Sequence, residues 1–226
     1  MTALLTTPLA VGSATVTRAV RLASQLRGER VIHPRGTTRT GRLAVHGVDL
    51  PARLLRTPAS YDVVVRLSRS LGLPRPLPDV LGVAVRVLDA YGEGRHQDLL
   101  LDTGASPRVL RRLPLPRRTR TAMHSSLLGY DIGDRGGRGD SGDAVGARVL
   151  LGAREVGRDA WELCVARPHD PWQVWASLSL GPQLRAPLGR QLRFDPWTTG
   201  PDLRPAGVLN ALRRGAYPAS HVGPDA

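Results

Sequence analysis

The chain contains no lysine: all 32 of its Lys-plus-Arg positions are arginine. That absence excludes Schiff-base chemistry and the lysine of a phosphate-binding loop. It also changes the meaning of the formal net charge of +13, which would otherwise suggest a nucleic-acid partner. Arginine without lysine, beside abundant Ala, Gly and Pro, reads as a GC-rich coding bias, so no specific nucleic-acid partner is expected. Cysteine is almost missing too. Cys164 stands alone, which excludes an internal disulfide and a thiolate metal cage. It lies in the strand-like run 161–166, where an inert, half-buried thiol is expected. The arginine-rich segment 107–120 has no aromatic residue on which bases could stack, which weakens a single-stranded nucleic-acid site. No apolar run approaches the ~20 residues of a membrane helix. The N-terminal apolar stretch has no charged region before it and is broken by Thr6, Thr7 and Pro8, so it does not read as a signal peptide. A cytoplasmic protein with no membrane partner is expected.

At 226 residues the chain suits one domain with a sizeable core. Residues 1–12 read as a flexible tail, 13–217 as a single domain and 218–226 as a C-terminal tail. From Ser13, an expected N-cap, Val16, Ala19, Val20, Ala23 and Leu26 recur at helical spacing until Gly28. Extended segments are expected near 41–48, 61–68, 82–89, 97–102, 147–153, 161–166 and 174–180, separated by Gly, Pro and Asp clusters. So many strands and so few helices predict an α+β, mainly β protein built as an antiparallel barrel or sandwich. The segment 107–120 holds six arginines among prolines and reads as a solvated connection rather than a polyanion site. The segment 131–146, with Asp131, Asp134, Asp140 and Asp143 among six glycines, matches no EF-hand or dinucleotide loop and reads as a flexible hairpin loop. No metal-ligand cluster is expected.

The most informative stretch is Glu29-Arg30-Val31-Ile32-His33-Pro34-Arg35-Gly36. An imidazole follows an apolar pair, and the Pro-Arg-Gly sequence should then turn the chain away. Downstream come Val63–Ser68, Pro78–Arg86 and Asp98–Thr103. This ordered set resembles the haem-dependent catalases, whose distal side reads R-V-V-H-A-[KR]-G, V-R-F-S, D-P-R-G-F-A-V-K and D-L-V-G-N-N. Ser126–Tyr130 is similar to the S-x-x-x-Y element of short relatives, and Arg193–Trp197 with Pro205-Ala206-Gly207 is similar to later F-D and P-x-G elements. The resemblance implies a catalase-like antiparallel β-barrel with a few peripheral helices. It implies His33 as the catalytic base and Ser68 as its hydroxyl partner. Arg30 and Arg66 would be haem-binding arginines, and Asp79 the acid of a substrate channel. Strand alternation puts Val64, Arg66 and Ser68 on one face, expected to point into the barrel with His33.

The chain departs from the family at several positions. Asp102 and Thr103 replace the distal Asn pair, Leu67 replaces the phenylalanine expected over the haem, and Arg86 replaces the last basic residue of its motif. The proximal R-x-F-x-Y-x-D motif is not found. Arg213 and Tyr217 keep an Arg-x-x-x-Tyr spacing, which makes Tyr217 the candidate axial ligand, although it also matches the tyrosine that follows the P-x-G strand. Three functions follow: a short haem protein acting on hydrogen peroxide or organic hydroperoxides; a catalase-fold barrel that binds another small molecule or a protein partner; and a phosphodiesterase-type hydrolase using His33, His124 and arginines.

Overall fold

The alternation in Val63-Val64-Val65-Arg66-Leu67-Ser68 decides which side of the sheet becomes the core. In the computed structural model, which describes residues 35–70, 72–74, 76–104, 113–133, 147–185 and 192–206, Val63 and Val65 are buried in the central hydrophobic cluster. They lie on strand β2 (Ala59–Arg69), opposite Val87 and Val85 of β3 (Leu81–Val87), and Val85 in turn pairs with Leu99 of β4 (Gln97–Thr103). β-branched residues suit these positions because their stiff side chains pack on a pleated, buried surface.

The other strands are β1 (Arg35–Val45), β5 (His124–Ser125), β6 (Tyr130–Ile132), β7 (Arg148–Gly157), β8 (Ala160–Ala166), β9 (Gln173–Gln183) and β10 (Leu203–Pro205). Every pairing is antiparallel. β1, β2, β3, β4, β5, β7, β8 and β9 follow one another round a ring, closed by the β9–β1 pairing, while β6 and β10 extend from the flank of β7. Closure removes the open edges an antiparallel sheet would otherwise expose. Leu43, Val83, Leu101, Leu151, Trp161, Leu163 and Leu178 complete the interior, each such buried side chain contributing about 1.5–3 kcal/mol before entropy is counted. A single-turn helix, α1 (Arg53–Arg56), adds Leu54 and Leu55 to the core. The mainly β, catalase-like barrel expected from the sequence is the architecture found.

Two local expectations change. No turn follows Pro34: Arg35 and Gly36 already belong to β1, paired with Arg69 and Ser68. Gly36 suits this place because a Cβ there would come 2.8 Å from the Leu67 carbonyl oxygen. Strands β5, β6 and β10 were not expected, since two or three residues carry no readable periodicity. The expected helix from Ser13, the bulk of the 131–146 loop, residues 107–112 and both tails lie outside the described residues. Among the described residues no helix is long and apolar enough to cross a membrane.

Candidate functional site

Arg66 and Ser68 do share a face, but it is the outer face of the barrel, because Val63 and Val65 take the inner one. The expectation that they enter the barrel is therefore corrected. The same alternation turns Leu67 inward against the core, so it cannot cover a ligand that meets Ser68. Register then assembles the outer face. Gly36, Ser68, Gly82, Asp102, Ser125 and Gly152 form one row across β1, β2, β3, β4, β5 and β7. Beside it run Thr38, Arg66, Ala84 and Leu100. Small residues alternate with hydroxyl and carboxylate groups, giving a low floor with polar points.

Ser68 is buried on this face, its hydroxyl 3.5 Å from the Gly82 carbonyl. The Arg66 guanidinium carbon lies 3.2 Å from the position a Gly36 Cβ would take. Arg120 reaches over the row, its guanidinium 3.4 Å from the carbonyl oxygens of both Ser68 and Gly82. The arginine segment is thus not wholly solvated. Sequence reasoning missed Arg120, since nothing in an arginine run distinguishes the one that folds back. Trp172 packs on Gly152 at the far end of the row.

Other expected site residues are placed elsewhere. Asp79 is completely buried; its carboxylate accepts the Leu73 amide at 3.0 Å and lies 3.5 Å from Arg69 Nε. Backbone bonds in both directions join Asp79 to Arg117. These contacts organise the 72–80 connection. Thr103 faces inward, its hydroxyl accepting from the Leu81 amide and donating to the Leu115 carbonyl. His124 also faces inward, away from Arg66 and Ser68 and edge-on to Trp161, with the charge of Arg120 the one cation among the described residues that bears on its ring. Cys164 is fully buried rather than half-buried, and burial pushes its thiol up to about 11, in keeping with an inert group. His33, Arg30 and Tyr217 lie outside the described residues.

A second charged centre holds the later motif in place. Arg86 makes a bidentate contact to Asp98, both bonds 2.7 Å, and donates to the Arg193 carbonyl at 2.7 Å. The Asp195 amide donates to Asp98 at 2.8 Å, and the Phe194 ring centroid is 5.4 Å from the Arg86 guanidinium. Burial lifts Asp98 above the usual carboxylate range against the pull of Arg86, while the hydrogen bond to Asp98 holds Arg86 up. Arg86 and Asp98 are therefore a clamp for 193–195.

The tyrosines test the fit of a haem iron. Tyr91 donates to Gln97 at 3.0 Å, and burial followed by the charge of Asp202 pushes its phenol upward. Burial also pushes Tyr130 upward, with Asp98 adding to the effect. Tyr61 packs against the core. Neither Tyr91 nor Tyr130 is suited to a phenolate ligand. The outer face offers the guanidiniums of Arg66 and Arg120 over a floor of small residues, groups of the kind that would hold a cofactor's acid groups, and among the described residues no tyrosine suited to hold its iron is found. Among them, too, no group of three or more His, Cys, Asp or Glu stands ready to hold a metal ion.

The fold places the chain with the catalase barrels. A fungal catalase superposes with a TM-score of 0.57 at 12% sequence identity, covering 93% of this chain and 63% of the catalase. A bacterial catalase superposes with a TM-score of 0.52 at 13% identity, covering 89% of this chain and 58% of that one. The chain thus spans about 60% of the length of these catalases. No protein-family model and no curated protein matches it, so the likeness is one of fold.

Proposed function

We propose that this chain binds haem on the outer face of β1–β5 and acts on hydrogen peroxide or organic hydroperoxides. The observation that carries the reading is the register row Gly36–Ser68–Gly82–Asp102–Ser125, flanked by Arg66 and crossed by Arg120. It brings residues of four separate motifs onto one face. Bound haem supplies the redox iron over which a peroxide O–O bond is cleaved. Arg66, with Arg30, holds the acid groups through charge-assisted bonds. His33 takes a proton from one peroxide oxygen and returns it to the other, and the Ser68 hydroxyl fixes its tautomer. Tyr217 would be the residue to hold the iron through its phenol oxygen. Asp102 has no N–H to offer where catalases have an amide, so turnover is low.

Oxygen release and hydroperoxide consumption by haem-reconstituted protein test this reading. Activity lost in His33→Ala and reduced in Ser68→Ala is expected. Equal turnover in both variants and wild type would assign the chemistry to free haem and defeat the proposal. A second reading is favoured by Asp102 and by the upward-shifted, buried tyrosines: the same face holds another small molecule without redox chemistry. Failure to bind haem, with the fold intact, is its signature.

A further inference from the structure

We propose that β5 is an acid-sensitive seam of the barrel, closed while His124 is neutral and released when its buried ring takes up a proton. The strand that joins β4 to β7 is two residues long, with a backbone bond beyond it on each side, from the Gly104 amide to the Met123 carbonyl and from the Ser126 amide to the Leu151 carbonyl. His124 pairs with Thr103 and Ala153, and Ser125 with Asp102 and Gly152. The β7–β8 pairing, by contrast, runs from Leu150 to Gly157. Into this shortest junction the chain places an imidazole with no solvent exposure and, among the described residues, no hydrogen-bond partner of normal geometry on either ring nitrogen. Its ring stands edge-on to Trp161, the centroids 5.4 Å apart and the planes at 62°.

Among the described residues, the elements packed round the ring offer no counter-charge. β4 presents Thr103 and Leu101, β7 presents Ala153 and Leu151, and β8 presents Trp161 and Leu163. The charge that bears on the ring is Arg120 of its own segment, a cation. An imidazolium there is both desolvated and repelled. Burial first, and Arg120 second, accordingly hold the ring down to about 4; proximity to the backbone of Ala122 and Ala153, without a hydrogen bond of normal geometry, offsets only part of this. Because the unfolded or opened chain binds the proton more readily, closure is complete above pH 6.5 and weakens as pH falls towards 4. The gap between those values corresponds to roughly a 300-fold rise in the opening equilibrium. Ser125 moves with the seam, so the outer row loses one of its polar points.

Hydrogen exchange of full-length protein, corrected for intrinsic rates, tests this between pH 7.5 and 4. The expected result is roughly 150-fold faster exchange at 122–126 at pH 4, half the limiting factor because the closed ring is itself half protonated there, while β2 and β3 stay protected, with the acceleration absent in His124→Leu. His124→Phe, which keeps a ring against Trp161, is the second variant. Acid acceleration that persists in either folded variant would place the proton on a carboxylate such as Asp102 and overturn the proposal. Wild-type exchange at 122–126 that ignores pH would also overturn it.

Discussion

Replacing Arg86 with methionine leaves the fully buried Asp98 carboxylate without its cation. Removing one partner of a buried pair costs about 3–5 kcal/mol, mostly because the other charge is stranded. Three bonds go at once, two to Asp98 and one to the Arg193 carbonyl, together with the contact to Phe194. The loss should show in urea denaturation at pH 7.5 and in faster trypsin cleavage after Arg193. Arg86→Met/Asp98→Asn strands no charge and should recover about 1.5 kcal/mol or more relative to Arg86→Met. The pH dependence has a defined sign. Burial already lifts Asp98 in the wild type, and without Arg86 it rises further. The folded variant then gains stability as pH falls through that raised value, so its deficit against wild type narrows in acid. A cost below about 1 kcal/mol, or a deficit that widens as pH falls, would refute the clamp.

Other substitutions test separate parts of the account. Gly200→Ala should be severe, because a Cβ there falls within the Tyr91 ring; a loss near 3 kcal/mol lowers Tm by about 6–12 °C in a scanning melt. Asp79→Ala strips the Leu73 amide and Arg69 of a buried partner and should cost about 3–5 kcal/mol by chemical denaturation, with Asp79→Asn milder. Ser68→Ala should change stability by less than about 1 kcal/mol, since its hydroxyl bond to Gly82 is long, while peroxide turnover falls; equal melts with unchanged turnover would remove Ser68 from the site.

The barrel was legible where strands are long. Val63, Val65, Val83, Val85, Leu99 and Leu101 alternate cleanly, and each of their segments forms a strand of seven residues or more. Alternation also grouped Arg66 with Ser68, but it cannot say which face is interior. The pair was expected to point into the barrel, whereas Val63, Val65 and Leu67 of the opposite face take the interior. Arg86 illustrates a different limit. Its partner Asp98 is found only once β3 and β4 pair in register, and the sequence shows it merely as a conservative replacement. β5 was unreadable because a dipeptide has no period, and with it the interior position of His124.

The central claim is that the outer face of β1–β5 is the ligand face, and an absorption titration of the protein with haem tests it most directly. Saturable one-to-one binding with a shifted Soret band is expected, weakened at least tenfold, or about 1.4 kcal/mol, in Arg66→Leu, and unchanged in His124→Leu, whose side chain faces the interior. No saturable binding, or binding untouched by Arg66→Leu and lost in a folded His124→Leu, would contradict it.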